Sequence, residues 1–256
     1  MISAVVVTYN SETKIEKTLL SLKEALAGFT SEIIVVDNAS SDKSLELVEK
    51  TNVADRIVRS RINAGFAAGV NRGLSVARGS YMLLVNPDLL ITEECVSGML
   101  CFLRANASVG AVGPKLLYPN GEIQPSRRRY PTLRGLLSSK IPLVTKIIGP
   151  SHLKDYWMLD TKFDTPTDVD WIIAACIMIT ATCLHHVGEF DDEFFLYLED
   201  TDWCIRAGKK KYRICYLPNV SAIHYYRKES STISSKAFLY HLASSLRFVR
   251  KHGLAI

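Results

Sequence analysis

Short apolar runs alternate with helical patterns along the first part of the chain. Three runs are rich in β-branched or other apolar residues, as in strands buried on both faces of a parallel sheet: residues 2–7, 32–36 and 81–85. Three stretches among them predict helices: residues 12–26, 42–50 and 66–77. This order predicts an α/β fold with a doubly wound, mostly parallel central sheet that is flanked by helices.

Each predicted strand ends in a polar cluster: Thr8-Tyr9-Asn10, Asp37-Asn38 and Asn86-Pro87-Asp88. Ligands of doubly wound sheets bind at the carboxyl ends of the strands, so we expect the clusters to share one edge. Asp37 could accept hydrogen bonds there from a nucleobase or a ribose, or it could cap the helix that follows. Asn10 allows the same two interpretations, ligand contact or helix cap.

Asp88 is the candidate metal ligand. Its carboxylate follows an apolar strand and a proline, which cannot donate to the strand ladder and helps to end it. Mg²⁺ in proteins often needs only one or two carboxylates in addition to phosphate oxygens. A simple turn is the alternative interpretation of this motif.

The second half of the chain predicts a less regular series of elements: a helix at 93–104, a turn at 118–121, a long connection at 125–168, a strand at 169–180, a helix at 194–209, a strand at 212–217 and an amphipathic helix at about 235–251. Three acidic residues, Glu199, Asp200 and Asp202, interrupt an aromatic and apolar stretch. Apolar surroundings raise the pKa of a carboxyl group, which suits a general base. Asp202 lies four residues before Arg206, which predicts an ordinary helical ion pair and leaves Glu199 and Asp200 as catalytic candidates.

Composition and charge narrow the class of protein. The 256 residues carry a net charge of +5, much of it in three basic clusters at 127–129, 209–211 and 250–251. These clusters predict solvated surface, contact with a phosphate-bearing substrate, or contact with an anionic membrane face. Six cysteines without a Cys-x-x-Cys pair predict reduced, buried thiols in a cytoplasmic protein. The chain opens on a strand pattern rather than a signal peptide, and no apolar run approaches the length of about 18 residues that spans a bilayer.

The glycine pattern argues against two other nucleotide-binding classes. No Gly-x-Gly-x-x-Gly motif follows the first strand, as a Rossmann dehydrogenase requires, and no Gly-x-x-x-x-Gly-Lys-Ser/Thr loop occurs. Gly65, Gly69 and Gly73 instead recur every four residues. This spacing predicts one helical face that packs closely on the sheet.

Six segments, in this order, resemble those of glycosyltransferase family 2, which has the GT-A fold: VVVTYNSE, IIVVDNASSD, NAGFAAGVNRG, LVNPDLLI, VGEFDDEFFLYLEDTDWCIRA and YLPNVSAIHYY. They extend over residues 3–226 and are most similar to the bacterial rhamnosyltransferase-like branch. The resemblance implies a nucleoside-diphosphate-sugar donor, an Mg²⁺ or Mn²⁺ ion, and inversion at the anomeric carbon. It also implies transfer to a hydroxyl of a glycan or polyprenyl-linked acceptor in cell-surface polysaccharide synthesis, with thymidine-diphosphate rhamnose as the expected donor.

The resemblance implies a role for each candidate residue. The donor-binding set is Thr8, Tyr9, Asn10, Glu12, Asp37, Asn38, Asn63, Gly65, Asn71 and Asn86. Asp88 and His224 would hold the metal, and Asp200 would be the catalytic base with Glu199 beside it. Trp171 and Trp203 would contact the acceptor.

The implied organisation is one GT-A domain over 1–256, divided into a nucleotide-binding half at 1–92, a smaller acceptor-side and catalytic half at 93–226, and a C-terminal amphipathic helix at 227–256. Two amphipathic stretches predict peripheral contact with the cytoplasmic membrane face or a homodimer interface. They are 136–148 and the final helix, with Phe238, Leu242, Leu246 and Val249 on one face. No nucleic-acid partner is expected.

One departure from the family pattern concerns the acceptor site. Relatives usually have Gly-Ala where this chain has Ala174-Ala175, and the extra methyl group could narrow the site. Two alternative functions are a nucleotide-sugar-binding protein without transfer activity and a sugar nucleotidyltransferase. The latter normally needs a glycine-rich, basic loop near the first strand, and this sequence has none there.

Overall fold

A computed structural model describes residues 1–131, 156–158, 163–226 and 236–253 of the chain. Its strands are β1 (Ile2–Thr8), β2 (Ser31–Asp37), β3 (Arg56–Arg59), β4 (Tyr81–Val85), β5 (Leu89–Leu90), β6 (Val109–Leu117), β7 (Arg127–Arg128), β8 (Thr167–Val169), β9 (Trp171–Ile172), β10 (Cys176–Thr180) and β11 (Arg213–His224). Its helices are α1 (Ile15–Leu26), α2 (Ser44–Thr51), α3 (Phe66–Leu74), α4 (Glu93–Ala105), α5 (Ala181–Val187), α6 (Glu199–Lys209) and α7 (Lys236–His252).

The central sheet has the strand order β3-β2-β1-β4-β10-β6-β11-β5. A ninth strand, β8, pairs with residues 214–216 near the start of β11. Strands β3, β2, β1 and β4 are parallel, and β11 is parallel to β6. Strand β10 is antiparallel to both β4 and β6 and joins the two halves of the sheet. The predicted doubly wound, mostly parallel sheet is therefore confirmed. Strand β3, which the apolar pattern does not predict, is a short and only half-buried edge strand.

Both faces of the sheet are covered, because alternate residues of each strand point to opposite faces. In β1, Ala4 and Val6 pack in the same apolar cluster as α1 and α4, whereas Val5 and Val7 pack in the cluster that contains α3 and α6. Helix α3 lies so close to β1 that a Cβ added at Gly69 would come within 2.6 Å of the Val7 side chain. The predicted close packing on the sheet is confirmed for Gly69 and Gly73, but Gly65 lies before the first residue of α3 and approaches the backbone of Phe195 instead.

Two predicted elements of the second half have different boundaries. The strand predicted over 169–180 is split among β8, β9 and β10, and its middle residues 173–175 leave the ladder. The helix predicted over 194–209 begins only at Glu199, because Tyr197 and Leu198 both adopt the left-handed backbone region, with φ of 71° and 67°. Both irregular segments lie at the candidate site described below.

Two surface predictions are wrong. Arg127 belongs to a cluster for which solvated surface was the first interpretation, yet its side chain is buried. Its guanidinium lies 4.4 Å from the ring centre of Phe163 and 4.8 Å from that of Tyr216. Cys101 is exposed, whereas the other five cysteines are buried; all six are free thiols.

The C-terminal helix α7 packs on the protein through Phe248, which contacts an apolar cluster with Phe194 and Ile205. Its exposed apolar face consists of Leu239, Leu242 and Leu246, here called the leucine stripe, and these side chains are half or more exposed. This face differs from the predicted one, because Phe238 and Val249 are partly buried. The second amphipathic candidate, 136–148, lies outside the described residues. No helix in the described part of the chain has the length and hydropathy needed to cross a membrane.

Candidate active site

The segment that carries Asp88 is held from three sides. The backbone N–H of Asn86 donates to the carbonyl of Ala175 at 2.8 Å, and the Thr18 hydroxyl donates to the carbonyl of Pro87 at 2.9 Å. The backbone N–H of Tyr225 donates to the carbonyl of Asp88 at 2.9 Å. The Asp88 side chain remains 29% exposed, so a fixed backbone presents an accessible carboxylate.

His224 ends β11 directly beside this carboxylate. Strand β5 pairs with the end of β11, which places His224 opposite Leu89. The ring atom Nε2 of His224 lies 3.3 Å from Oδ1 of Asp88 and 3.4 Å from Nδ2 of Asn86. The structure therefore brings together the two predicted metal ligands, Asp88 and His224, although 136 residues separate them in sequence.

The donor set at this point fits a divalent cation. Two ligands about 2.1 Å from an octahedral ion, at right angles to each other, are about 3 Å apart, close to the observed 3.3 Å between Nε2 and Oδ1. No group of three or more His, Cys, Asp or Glu side chains that could hold a metal occurs among the described residues. A site with one carboxylate and one imidazole would leave the remaining positions to water and phosphate oxygens, as is usual for Mg²⁺.

Glu199 and Asp200 form the first turn of α6. Both are buried, at 5% and 8% exposure. One oxygen of Asp200 accepts from the backbone N–H of Ala174 at 3.1 Å, and the other accepts from that of Thr201 at 2.7 Å. Oε2 of Glu199 is buried and has no hydrogen-bond partner in the described structure.

The environments of the two carboxyl groups differ. Burial raises the pKa of Asp200, while the two backbone N–H donors and the nearby Arg128 guanidinium limit that rise. Burial raises the pKa of Glu199 well above its ordinary value, and the negative charge of Asp200 raises it further. Glu199 therefore holds a proton in preference to Asp200, and Asp200 is the carboxylate of the pair that can accept one.

Residues 174 and 175 connect the two acidic sites. The N–H of Ala174 binds Asp200, and the carbonyl of Ala175 binds the backbone of Asn86, two residues before Asp88. Asp88 and Asp200 therefore flank one short segment at the same edge of the sheet. The departure at Ala174-Ala175 falls at the junction of the two sites, and both methyl groups are buried.

The ends of β1 and β2 form the predicted donor-binding edge. Thr8 pairs with Asp37 across the two parallel strands, and both side chains are buried. Among the described residues, the Thr8 hydroxyl has no partner, and the Asp37 carboxylate accepts only long bonds, of 3.3 and 3.4 Å, from the N–H of Ser40. The start of helix α2 is bound instead by Asp42, whose carboxylate accepts from the N–H of Ser44. Asp37 therefore does not cap helix α2.

The loop after β1 is bound to the loop after β2. The Asn10 side chain accepts from the N–H of Ser41 at 2.8 Å, and the Glu12 carboxylate accepts from the N–H of Lys43 at 3.0 Å. Asn10 therefore braces a neighbouring loop and does not cap its own helix. Tyr9 is 47% exposed at this edge, where its ring is available to a ligand.

The other predicted donor-side residues form a hydrogen-bonded support. Asn38 donates to the side chain of Asn63 and to the carbonyl of Gly65, both at 2.9 Å. Asn71 makes two bonds with the backbone of Phe190, at 2.8 and 3.0 Å. The amide groups of Asn38 and Asn71 are therefore engaged with protein, and they fix the loop before α3 and the segment before α6.

The two tryptophans predicted on the acceptor side have different positions. Trp171 donates to the carbonyl of Arg129 at 2.8 Å, and the guanidinium of Arg128 lies 5.0 Å from its ring centre. Trp203 has no exposed surface and donates to the carbonyl of Gly188. A side chain without exposed surface does not contact an acceptor in this conformation, so Trp203 supports the core beneath the site.

Two further residues, Arg128 and Gln124, border the site and are not among the residues predicted from the sequence. Arg128 lies near Asp200 and between the rings of Tyr156 and Trp171, at 5.6 and 5.0 Å from their centres. Gln124 contacts His224 at two points. The signal available for Arg128 was its place in a basic cluster flanked by tyrosine and proline, and Gln124 offered only its position just after a turn.

The chain is similar to known proteins in sequence. The model of the family "Glycosyl transferase family 2" matches residues 3–162. The N-acetylglucosaminyl-diphospho-decaprenol L-rhamnosyltransferase of Mycobacterium tuberculosis is 24% identical over 88% of this chain and 76% of its own length. The rhamnosyltransferase WbbL of Escherichia coli is 25% identical over 98% of this chain and 93% of its own length.

Solved structures show the same fold at lower identity. The mannosyltransferase PcManGT of Pyrobaculum calidifontis, in complex with GDP-Man and Mn²⁺, superposes with a TM-score of 0.63 at 17% identity and covers 96% of this chain and 64% of its own. TarS of S. aureus, residues 1–349, gives a TM-score of 0.59 at 20% identity over 98% of this chain and 73% of its own. The extent of the family match, together with these relatives, places the chain in glycosyl transferase family 2, with the GT-A fold.

Proposed function

We propose that the protein is an inverting glycosyltransferase that moves a sugar from a nucleoside-diphosphate donor to a hydroxyl group of a glycan or polyprenyl-linked acceptor. The observation that carries the proposal is the position of Asp88 and Asp200 on either side of residues 174–175. A cation-binding carboxylate and a proton-accepting carboxylate at one sheet edge are what a single displacement at a diphosphate sugar requires. Rhamnose is the first candidate for the sugar, because two of the relatives above are rhamnosyltransferases.

The reaction follows from the residues at the edge. Asp200 accepts the proton of the acceptor hydroxyl, and the oxygen attacks the anomeric carbon on the face opposite the diphosphate. The bond from that carbon to the diphosphate oxygen breaks, so the configuration inverts. The N–H groups of Ala174 and Thr201 hold the Asp200 carboxylate in place during the transfer, and its raised pKa makes it a better base than an ordinary aspartate.

A divalent cation, when bound by Asp88 and His224, would stabilise the negative charge of the departing nucleoside diphosphate. The side chain of Asn86, 3.4 Å from His224 Nε2, borders the same position. The exposed ring of Tyr9 and the buried carboxylate of Asp37 would bind the nucleoside end of the donor. Positioning of donor and acceptor supplies much of the remaining rate enhancement.

The two alternatives make different demands on the site. A nucleotide-sugar-binding protein has no need for Asp200, because a buried, proton-accepting carboxylate contributes nothing to holding a donor. A sugar nucleotidyltransferase would need a basic, glycine-rich loop after β1, where this chain has Tyr9, Asn10 and Glu12. Transfer is therefore the favoured function.

The acceptor is proposed to be carried on a polyprenyl lipid, as the name of the mycobacterial relative states for its own substrate. We expect the enzyme to work on the cytoplasmic side of the membrane, with the leucine stripe of α7 in contact with the lipid surface. Arg250 lies one turn beyond Leu246 and is exposed. A basic residue at the end of an apolar helical face is typical of contact with anionic lipid.

The test is release of nucleoside diphosphate from a panel of donor sugars that includes thymidine-diphosphate rhamnose, with and without a chelator. We expect release from one donor, dependent on metal and on acceptor. In Asp200→Asn, transfer falls by about 10²- to 10⁴-fold, as for loss of a general base, while donor binding measured by calorimetry is retained. The matched control is Asp192→Asn, the same change at an exposed aspartate before α6. Normal turnover by Asp200→Asn would remove Asp200 as the base.

A further inference from the structure

Gln124 holds His224 at two points. Its side-chain N–H donates to the backbone carbonyl of His224 at 2.7 Å, and its side-chain oxygen lies 3.0 Å from Nδ1 of the His224 ring. Both side chains are buried, at 4% and 3% exposure. The two residues are 100 positions apart in sequence, so the contact is a product of the fold.

The orientation of the Gln124 amide is fixed by its neighbours. Its nitrogen faces two carbonyl oxygens, that of His224 at 2.7 Å and that of Leu117 at 3.4 Å. Carbonyl oxygens only accept hydrogen bonds, so the NH₂ group must point toward them and the amide oxygen must point toward the histidine ring. No reversed placement of the amide satisfies these carbonyls.

The amide orientation determines the tautomer of His224. Because the Gln124 oxygen only accepts, the ring atom Nδ1 that faces it must carry the hydrogen. A neutral imidazole has one ring hydrogen, so Nε2 then carries a lone pair. The amide nitrogen of Asn86 lies 3.4 Å from Nε2, which agrees with a lone pair at that atom.

The lone pair of Nε2 faces the Asp88 carboxylate at 3.3 Å. Two electron-rich atoms at this distance repel each other unless a positive charge lies between them. The opposite tautomer, with hydrogen on Nε2, would donate to Asp88 and close the position to a cation. The tautomer therefore decides whether Asp88 and His224 can act together as ligands.

The hairpin after β6 places Gln124. The N–H of Gln124 donates to the carbonyl of Leu116 at 2.8 Å, and Leu117 bridges Ile123 across the turn. Leu116 is also aligned with Ala222 of β11, two residues before His224. One strand, β6, thus sets the positions of both Gln124 and the end of β11.

We propose that Gln124 is a positioning residue that fixes the Nδ1–H tautomer of His224 and so presents the Nε2 lone pair beside Asp88 to a divalent cation. The inference deepens the proposed function and rests on it for the role of the ion. The tautomer itself is a property of the metal-free protein and does not depend on sugar transfer.

The first experiment measures the tautomer. The protein is labelled with ¹⁵N-histidine, freed of metal and kept above the pH range in which imidazole titrates. Long-range ¹H–¹⁵N correlation spectra then show which ring nitrogen carries the hydrogen. The His224 signals are assigned by their absence from the spectrum of His224→Ala. We expect the Nδ1–H pattern in the wild type. Because Gln124 is the only glutamine in the chain, glutamine labelling also gives its side-chain signal directly. An Nε2–H pattern in the wild type overturns the proposal.

The second experiment uses variants and Mn²⁺ alone as the probe. Gln124→Met removes both contacts, and we expect loss of the pure Nδ1–H tautomer and about 10- to 100-fold weaker Mn²⁺ binding by electron paramagnetic resonance. Gln124→Glu keeps an acceptor opposite Nδ1, so we expect it to retain the tautomer and to bind Mn²⁺ more tightly than Gln124→Met. Ile123→Ala, an exposed change in the same hairpin, controls for disturbance of the turn and should bind Mn²⁺ as the wild type does.

Each outcome has a separate meaning. Wild-type tautomer and wild-type Mn²⁺ affinity in Gln124→Met would overturn the proposal. If Gln124→Met does not fold, a mixed or Nε2–H tautomer in folded Gln124→Glu overturns it. The expected tautomer and Mn²⁺ results with no transfer from any donor would refute the proposed function and leave the role of Gln124 standing.

Discussion

Asp202 offers a quantitative test of how the C-terminal helix is attached to the helix that carries Asp200. Its side chain has no exposed surface. It accepts a hydrogen bond of 2.8 Å from Arg206, and its other oxygen lies 2.8 Å from Nζ of Lys251 and 2.8 Å from Nε2 of His252. The pair with Arg206 confirms the sequence prediction. The contacts with Lys251 and His252 come from α7 and could not be predicted, since they cross between helices distant in sequence.

The perturbation is Asp202→Asn, which keeps the shape of the side chain and removes its charge. Breaking a buried ion pair by changing one partner costs about 3–5 kcal/mol. Here the cost should fall near the lower value, about 3 kcal/mol, because two of the three donors retain other partners. Arg206 still donates to the carbonyls of Val187 and Glu189, and Lys251 still contacts Asp191 at 2.5 Å.

The assay is urea and thermal unfolding of wild type and variant. A loss of about 3 kcal/mol corresponds to a fall in Tm of about 6–12 °C for a domain of this size. The matched control is Glu49→Gln, which removes one partner of the exposed pair with Arg59 and should cost at most about 1 kcal/mol. A loss below 1 kcal/mol in Asp202→Asn, equal to that of the control, would refute the idea that buried charge joins α7 to α6.

Three further predictions concern the site and the surface. Because burial raises the pKa of Asp200, kcat/KM should fall as the pH is lowered through a value above the ordinary aspartate range and should be retained above it; a pH–rate profile with no such limb would contradict the assignment. Gly65→Ala should destabilise the fold by at least about 2 kcal/mol more than Gly121→Ala in urea unfolding. Both glycines have positive φ, but only a Cβ at Gly65 would meet backbone, 2.2 Å from the Phe195 oxygen. Equal losses of stability in the two variants would show that this close approach does not matter. Serine at all three positions of the leucine stripe should abolish flotation with anionic vesicles, and flotation that is unchanged, or absent already in the wild type, would argue against lipid contact by this face.

Much of the first half of the chain follows from local patterns. Runs such as 2–7 and 32–36 are apolar on every residue because both faces of a parallel strand are buried, so the pattern itself indicates the sheet position. The polar clusters then fall at one edge by the geometry of parallel strands. The pairing of Thr8 with Asp37 confirms that edge.

The second half of the chain was predicted less well, because its irregular segments are held by distant partners. The continuous strand expected over 169–180 is interrupted where the backbone of residues 174 and 175 bonds to Asp200 and Asn86. The start of α6 is displaced because Tyr197 and Leu198 adopt a left-handed backbone that costs about 1–3 kcal/mol at each residue and is kept only by its surroundings. Neither effect leaves a mark in local periodicity.

The sequence by itself determined the fold class, the family likeness and which acidic residues to examine, since strand burial, strand ends and short motifs are local properties. Only the tertiary structure decided that His224 lies beside Asp88, that Gln124 orients its ring and that Arg127 is buried between two rings. It also decided which carboxyl of Glu199 and Asp200 keeps its proton. These outcomes depend on hydrogen bonds, desolvation and charges contributed by residues far apart in the chain, which come together only when the sheet and its helices are packed.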